Sequence, residues 1–346
     1  MDRDKTYQFL EQVTAWAAGA TTIGLLALAD RTGLLRAMAD GVSGTTADIA
    51  DTTGLDARYV TEILGGLHAA AIVEWDPTTG SFSLSPEHAA VIGDDASPYA
   101  MTGWLDMIPS AFEHTDAIAE AVRTGGGVDF DAFGPKMVRG IDRANRPSHT
   151  ILLARRWLTH LPDITERLAS GGVVADIGCG SGAAVEALAR AFPAASVVGV
   201  DRSVASIERA VAGSSMPNVR YVVGTTSDLP AYGPFDLVTM LDVVHDLVDP
   251  VGSLTTVRRS LTDGGAVFVL EPSMPEDMAD RVGPHASLVY GISVFHCLTQ
   301  SLAAGGAGLG AAGGESAIRS VAEQAGFTSV EVLPIDNPFS SFYRLS

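Results

Sequence analysis

The chain has 346 residues, enough for two domains with cores of their own, and 47% of the residues are hydrophobic. Its formal net charge is −19, and a chain this acidic repels phosphate backbones and anionic lipid. Nucleic acid and membrane surfaces are therefore disfavoured as partners, and small molecules are favoured. The two cysteines, Cys179 and Cys297, do not suggest a disulfide framework and fit a reducing cytoplasm. The N-terminus lacks the layout of a signal peptide and the apolar stretch at residues 15–29 is too short to span a bilayer, so we expect a cytoplasmic protein.

Residues 6–40 are predicted to form two helices with apolar stripes. The stripes contain Leu10, Val13, Trp16 and Ala17, followed by Leu25, Leu26, Leu28, Leu34, Leu35 and Met38. Because much of this region is apolar on more than one face, we expect it to be buried against a second subunit, which predicts a homodimer. The alternative is an ordinary buried helix.

Residues 45–92 have the layout of a winged helix, with a capped helix, a turn, a second helix and a hairpin. A DNA-reading domain would place Lys or Arg on the second helix. Here that helix carries Arg58, Glu62 and His68. DNA binding is therefore disfavoured, and residues 1–95 are assigned to an N-terminal domain.

Residues 96–170 are predicted to be a helical connector that covers the substrate pocket, broken at residues 125–127 and 146–147. Trp104 belongs to an apolar set at helical spacing that forms either core or one wall of the pocket. The connector also carries Arg123, Lys136, Arg139 and Arg143, one of which could meet the carboxylate of an acidic substrate. Trp104 and Arg139 are therefore candidate substrate contacts.

Residues 171–346 alternate strand and helix, as an α/β doubly wound sheet requires. Strands are predicted at residues 173–177, 196–200, 219–223, 235–240 and 266–270, with a final hairpin formed by 329–334 and 341–345. The fold class is thus α/β, a Rossmann-like sheet preceded by a helical and winged-helix domain.

A glycine turn after the first of these strands contains Gly178, Gly180 and Gly182. Glycines let the backbone turn tightly and approach a ligand closely. The helix that follows points its N-terminal N–H groups at that ligand. The next strand ends on Asp201, and an acid about 20 positions after such a turn usually takes both hydroxyls of a ribose.

Three details narrow the ligand. The glycines follow G-x-G-x-G rather than the dinucleotide pattern, and no Gly-Lys-Ser/Thr follows them. Asp176, two residues before Gly178, would attract a cation and repel a diphosphate. A ligand with a ribose, an ammonium and a sulfonium fits this arrangement, and that ligand is S-adenosylmethionine. With these residues the chain resembles the class I methyltransferases, whose first motif is Asp/Glu-x-Gly-x-Gly-x-Gly; a nicotinamide enzyme and an incidental tight turn are the alternatives.

The resemblance also implies further cofactor contacts. The family usually places an Asp after the glycine that follows the third strand, to take the adenine amino group, but here Thr225 follows Gly224. A backbone carbonyl or Thr226 could replace it. The remaining candidate cofactor contacts are Arg202, Ser227, Leu241 and Asp242, and Met240 is a further candidate substrate contact.

His245 and Asp246 follow the fourth strand, at the sheet edge where open α/β sheets hold their ligands. In the plant-type small-molecule O-methyltransferases a His-Asp pair in this position supplies the general base, and the resemblance implies that role for His245. A neutral imidazole is well suited to deprotonating a phenol. The alternative is a histidine that caps the next helix.

Glu271 and His296 suggest a second role for the same place. With His245 they could form a three-ligand site with open positions, of the type used by non-haem iron or catalytic zinc. A lone histidine on an apolar helix is, however, usually a core residue.

Three stretches resemble a bacterial branch of two-domain methyltransferases: His245–Asp246, residues 290–298 and the glycine loop 305–310. That branch includes 2-oxo acid C-methyltransferases, which hold a metal through two histidines, and the family uses its N-terminal module for dimerisation. The resemblance implies metal-assisted C-methylation of the β-carbon of a 2-oxo acid through its enolate, with Asp246 as a candidate proton acceptor. O-methylation of a hydroxylated metabolite with His245 as base is the alternative, and a non-catalytic ligand-sensing regulator is a remote one.

Overall fold

The computed structural model describes residues 1–346, which form two compact units. One unit contains residues 1–110 and 135–147, and the other contains residues 111–134 and 148–346. The residues of the predicted connector, 96–170, are therefore divided between the two units.

The N-terminal unit begins with helices whose first turns are capped by side chains. Its elements are α1 (Arg3–Arg31), α2 (Leu34–Ala39), α3 (Thr46–Thr53), α4 (Ala57–Ala69), β1 (Glu74–Asp76), β2 (Ser81–Ser83) and α5 (Pro86–Ile92). Asp2 caps α1, Asp56 caps α4, and Thr45 forms a capping box with Asp48 at the start of α3. The antiparallel pair β1–β2 follows α4, so the predicted winged helix is present. The prediction of two helices over residues 6–40 is also confirmed, with the break at Gly33.

Much of α1 presents apolar side chains to solvent. Its exposed large hydrophobic residues are Tyr7, Phe9, Leu10, Val13, Trp16 and Leu28. Burial is confined to the C-terminal part, at Leu26, Ala27 and Ala29. The apolar stretch at residues 15–29 belongs to this single helix of 29 residues. Residues Arg3–Arg31 and Pro284–Ala303 are long and apolar enough to cross a membrane by length and composition, a test that core helices of soluble proteins also pass.

Three helices follow: α6 (Trp104–Phe112), α7 (Thr115–Thr124) and α8 (Gly134–Ile151). The second unit contains α7, and both units contain residues of α6 and α8. The remaining elements are α9 (Pro162–Ala169), β3 (Val173–Ile177), α10 (Ala183–Ala191), β4 (Ser196–Asp201), α11 (Val204–Gly213), β5 (Val219–Val223), β6 (Phe235–Leu241), α12 (Pro250–Arg259), β7 (Leu261–Pro272), α13 (Pro284–Ile292), α14 (Leu298–Ala303), α15 (Gly314–Gln324), β8 (Val330–Val332) and β9 (Ser340–Leu345).

The second unit is built on a seven-stranded sheet with the order β5-β4-β3-β6-β7-β9-β8. Neighbouring strands from β5 to β7 are parallel, and β9 is antiparallel to both β7 and β8. Alternate residues of each strand face opposite sides, so Val174 and Leu237 join one apolar core while Ala175 and Val238 join another. The chain reverses its direction of strand addition between β3 and β6, and such a switch point leaves a crevice at the carboxyl ends of the strands.

Candidate active site

The glycine turn after β3 has one open position between two packed ones. Gly178, Gly180 and Gly182 all have positive φ angles, of 70°, 54° and 87°. A Cβ atom on Gly178 would lie 2.2 Å from Cγ2 of Val243, and one on Gly182 would lie 2.3 Å from the hydroxyl oxygen of Tyr221. A Cβ atom on Gly180 would meet nothing within 4 Å. The outer glycines thus permit packing, while Gly180 leaves space for a ligand to approach the backbone.

Asp201 fixes this turn to the end of β4. Its Oδ2 accepts a hydrogen bond from the N–H of Gly180 at 2.9 Å, and its Oδ1 accepts one from the N–H of Ser203 at 2.8 Å. A carboxylate has about four lone-pair sites, so each oxygen can still accept a hydroxyl proton. The glycine turn and the acid at the end of β4 therefore lie next to each other, and the contact of Asp201 with a ribose stays a prediction.

Asp176 is a buried carboxyl group at the same sheet edge. It is 2% exposed, and its Oδ1 accepts a hydrogen bond from the hydroxyl of Thr239 at 2.6 Å. Burial raises the pKa of Asp176 to about 7, and the charge of Asp201 acts in the same direction. A cation bound nearby would favour the ionised form. Sequence reasoning missed Thr239, although a lone hydroxyl in the apolar strand β6 is a signal that could have found it.

The loop after β5 is closed by its own side chains. Thr225 Oγ1 accepts from the N–H of Ser227, while the carboxylate of Asp228 accepts from the N–H of Thr225 at 2.8 Å. This capping box starts the 3-10 helix Thr226–Ala231, in which Thr226 is buried and Ser227 is exposed. Thr225 therefore has a local structural role, and Asp228 caps the turn in which Thr225 stands.

The end of β6 carries two core residues and one residue in a strained conformation. Met240 is fully buried in one core and Leu241 is 7% exposed in the other. These side chains fill the two faces of the sheet, and the contacts of Met240 with substrate and of Leu241 with cofactor stay predictions. Asp242 follows with a φ of 56°, unusual for a residue other than glycine. Desolvation raises its pKa to about 7, and the charge of Glu271 adds to this rise.

His245 and Glu271 form a buried pair at the ends of β6 and β7. Glu271 Oε2 accepts a short hydrogen bond from Nδ1 of His245, and Oε1 accepts from the N–H of Val244 at 2.8 Å. Both side chains are about 5% exposed. Because Nδ1 holds its proton against a carboxylate, Nε2 is the basic nitrogen of the ring.

Two carboxylates control the protonation of His245. Nε2 lies 3.5 Å from Oδ1 of Asp246. Burial alone would lower the pKa of His245, but the charges of Glu271 and Asp246 outweigh it and raise the pKa well above 6.5. The ring therefore stays protonated to a higher pH than an isolated histidine, and its deprotonated form, with the remaining proton on Nδ1, is the form that can act as a base.

His296 and Cys297 lie on a π-helical turn, Ser293–Cys297, between α13 and α14. Such turns often occur at functional sites. Nε2 of His296 is buried without a hydrogen-bond partner, as is Oδ1 of Asp246. Burial lowers the pKa of His296. An unpaired buried polar atom is costly, so both atoms point to a missing partner.

The structure brings together a ligand set different from the predicted one. The donor atoms of His245, Asp246 and Cys297 all lie within 4.8 Å of one another. Glu271 instead uses both oxygens on His245 and Val244, so it orients the histidine rather than completing the predicted triad. Burial raises the pKa of Cys297 to about 11, which keeps its thiol protonated when no cation is present.

Arg139, the predicted basic contact for the substrate, forms an ion pair with a side chain of the N-terminal unit. Arg139 donates two hydrogen bonds to the buried carboxylate of Asp106, at 2.7 and 3.0 Å. Arg143 bonds to the same carboxylate and to those of Asp30 and Asp95. These guanidinium groups are used in an ion-pair network, which argues against Arg139 as a substrate ligand. Trp104 is half-buried at the first position of α6.

Arg202, predicted to contact the cofactor, has partners in the second unit. Its guanidinium carbon lies 5.3 Å from the centroid of the Phe130 ring, and Nη2 donates to Oε1 of Gln300 at 3.1 Å. The structure therefore connects the residue after Asp201 to α14, which follows the π-helical turn.

Family comparisons match both units. A family described as "Methyltransferase domain" matches residues 174–265, and one described as "Rv2258c-like winged HTH domain" matches residues 19–93. A trans-aconitate 2-methyltransferase from Deinococcus radiodurans is 33% identical over 109 residues, which are 32% of this chain and 41% of that protein. The chain thus spans less than half the length of this relative.

Solved structures match nearly the whole chain. A mitomycin 7-O-methyltransferase has a TM-score of 0.71 at 16% identity, covering 99% of both chains. Human N-acetylserotonin methyltransferase, solved in complex with SAM, has a TM-score of 0.68 at 18% identity, covering 98% of both chains. At these identities the likeness shows the fold, which confirms the predicted Rossmann-like sheet and winged-helix domain.

Proposed function

We propose that this chain, which contains a methyltransferase domain preceded by a winged-helix domain, is an S-adenosylmethionine-dependent methyltransferase that methylates a small molecule on oxygen. The observation that carries the proposal is the buried His245–Glu271 pair at the same sheet edge as the glycine turn. The pair supplies a base, and the turn supplies a site for the methyl donor.

The donor site is lined by acids. Gly180 leaves open space at the turn, Asp201 offers oxygens to ribose hydroxyls, and Asp176 offers a carboxyl group that a cation would ionise. S-adenosylmethionine has the ribose, the ammonium and the sulfonium that such groups would bind. When bound, it supplies an electrophilic methyl group.

His245 would act as the base. In its deprotonated form, its Nε2 would take the proton of the acceptor hydroxyl as the acceptor oxygen bonds to the methyl carbon and the carbon–sulfur bond breaks. The products are the methyl ether or ester, S-adenosylhomocysteine and a protonated His245. Glu271 holds the tautomer and stabilises the imidazolium, as the acid of a catalytic triad does.

Oxygen is favoured over carbon by the names of the structural neighbours. One that spans the whole fold is named for 7-O-methylation of mitomycin. The 2-oxo acid C-methylation implied by the sequence resemblance has no such support. The acceptor is therefore proposed to be a hydroxylated small molecule.

The test is a binding measurement followed by an acceptor screen. Calorimetry should detect S-adenosylmethionine and S-adenosylhomocysteine but not a pyridine dinucleotide. Labelled donor should then be incubated with phenols, carboxylic acids and 2-oxo acids, and the products analysed by mass spectrometry and NMR. O-methylated products that disappear in His245→Ala support the proposal, and products methylated on carbon alone contradict it.

A specific observation favours metal-assisted C-methylation as a second candidate. Asp246 Oδ1, which lies 3.5 Å from Nε2 of His245, and Nε2 of His296 are both buried without a hydrogen-bond partner. The donor atoms of His245, Asp246 and Cys297 lie within 4.8 Å of one another and supply an imidazole, a carboxylate and a thiol, a set that suits zinc or iron. A bound ion would act as a Lewis acid on the enolate of a 2-oxo acid.

Metal content and two substitutions distinguish the candidates. Metal-assisted C-methylation predicts one zinc or iron ion per chain by elemental analysis. Both His245→Ala and His296→Ala should lose this ion. O-methylation with His245 as the base predicts a severe loss of turnover in His245→Ala, a milder loss in His296→Ala and no stoichiometric metal. A chelator that removes a metal ion from the protein without changing turnover would overturn metal-assisted C-methylation.

The proposal for partners is a homodimer formed through the N-terminal unit, in the cytoplasm. The exposed apolar side chains of α1 support this dimer, because a large exposed apolar patch on a protein usually marks an interface. The winged helix is proposed to have no role on DNA, because Arg58 on α4 pairs with Glu62 and offers no free cation to a phosphate.

A further inference from the structure

Residues 125–134 form a segment that we call the aromatic strap. It begins at Gly125, which ends α7 with a φ of 77°, and it ends at Gly134, with a φ of 71°. Between them lie Phe130 and Phe133, on a short 3-10 helix. Glycine at both ends permits backbone rotation, as in hinged loops.

The strap is fastened to α14. The N–H of Val128 donates to Oγ1 of Thr299 at 2.9 Å in a buried hydrogen bond. A Cβ atom on Gly127 would lie 1.9 Å from the carbonyl oxygen of Thr299, so only glycine allows this approach. The strap thus lies directly against the helix that follows the π-helical turn.

Phe130 lies between the donor side and the base side of the site. Its ring centroid is 5.3 Å from the guanidinium carbon of Arg202 and 5.7 Å from the centroid of the His296 ring. Phe133 approaches the same imidazole at 5.0 Å. Because Nε2 of His296 has no hydrogen-bond partner, these two aromatic contacts are well placed to set the orientation of its ring.

We propose that Phe130 is a positioning residue that couples occupancy of the donor site to the orientation of His296. The proposal rests on the proposed function, because it takes the donor site to be the one at Asp201. Arg202 follows Asp201 directly, so a ribose bound to Asp201 restricts the backbone that carries the guanidinium. The cation–π contact then holds Phe130, and Phe130 holds the imidazole. The acceptor side is thereby ordered when the donor is bound.

The experiment measures hydrogen–deuterium exchange of the full chain with and without S-adenosylhomocysteine. In the wild type, the peptide covering 125–134 should exchange about fivefold more slowly when the probe is bound. Phe130→Tyr keeps the ring and should keep this response. Phe130→Leu removes the ring and should lose the response, while its affinity for the probe stays within about threefold of wild type.

Phe112→Leu is the matched control. Phe112 contacts Phe295 at 5.3 Å but is 51% exposed and lies outside the strap, so this variant should respond like the wild type. Melting temperatures of the two leucine variants show whether either fold is damaged. A wild-type strap that exchanges at the same rate with the probe bound would overturn the coupling alone, as would a retained response in Phe130→Leu. Absence of probe binding in calorimetry would overturn the proposed function and the coupling with it.

Discussion

Glu271 accepts hydrogen bonds from the ring of His245 and from the backbone N–H of Val244, so one carboxylate fixes both the side chain and the turn that carries it. Glu271→Gln should therefore reduce turnover by about 10²- to 10⁴-fold, since an amide can present its N–H₂ to Nδ1 and favour the wrong tautomer. Affinity for S-adenosylhomocysteine should change little. Steady-state kinetics and calorimetry measure the two effects.

Glu276→Gln is the control for this substitution. Glu276 caps the N–H of Ser316 and lies at the surface, so its amide variant should retain turnover. Equal losses in the two variants would contradict a special role for Glu271.

Donor affinity should depend on the charge of Asp176. Its pKa is raised to about 7, so the carboxyl group becomes ionised as the pH rises through that value. Affinity for S-adenosylmethionine should therefore increase by up to about tenfold between about pH 6 and about pH 8. Adenosine, which has neither ammonium nor sulfonium, should show no such dependence. In calorimetry, Asp176→Asn should remove the dependence for S-adenosylmethionine and leave adenosine binding independent of pH.

The same group affects the stability of the ligand-free chain. A carboxyl group with a raised folded-state pKa stabilises the fold most below its unfolded value of 3.8, and this contribution is lost as the pH rises through about 7. Asp176→Asn should therefore flatten the fall in melting temperature between about pH 5 and about pH 8. An unchanged slope would show that Asp176 does not titrate there.

Gly180→Ala separates ligand approach from folding. The added Cβ meets no protein atom within 4 Å, so the cost to the fold is the strain of a positive φ, about 1 kcal/mol. The methyl group would, however, stand where the donor approaches, and donor affinity should fall by about tenfold or more.

Gly54→Ala is the matched control for the glycine turn. Gly54 has a φ of 70° and equally open surroundings, but it caps α3 in the N-terminal unit. Its variant should lose similar stability in denaturant titration and keep full donor affinity. If both variants lost donor affinity, the loss in Gly180→Ala would be explained by reduced stability and not by a blocked approach of the donor.

The apolar face of α1 predicts self-association. Trp16→Glu and Leu10→Glu should convert a dimer into a monomer in sedimentation experiments, because a buried carboxylate at an apolar interface is costly. Tyr59→Glu, at a 73% exposed position on α4, should leave the dimer intact. A monomeric wild type that binds phospholipid vesicles would indicate that α1 meets a bilayer instead.

The sheet could be predicted from local pattern because its strands are apolar runs that end at polar or glycine residues. The strands at 173–177 and 219–223 have the predicted bounds. In contrast, β7 extends over residues 261–272 rather than the predicted 266–270, and Gly264 and Gly265 lie within it. Strand ends in turn placed Asp201, His245 and Glu271 at one edge.

The partners of each side chain could not be predicted in this way. Which acid holds His245 depends on the spacing between β6 and β7, which no local pattern encodes. The approach of Cys297 to Asp246 requires the π-helical turn, and the contact of Phe130 with His296 joins residues more than a hundred positions apart. The glycines at 125–127 predict a break in a helix. A glycine-rich hinge has the same composition as a simple helix break, so the sequence cannot distinguish the two.

Deleting one residue from the π-helical turn Ser293–Cys297 would restore the ordinary spacing of an α-helix there. Each α-helical residue rotates about 100° around the axis, so the deletion would carry the His296 imidazole to a different side of the helix. Hydrophobicity and fold would hardly change, yet the imidazole would leave its contacts with Phe130 and Phe133. Relatives that differ by this single deletion should therefore share the scaffold and the base but not the position of the second histidine.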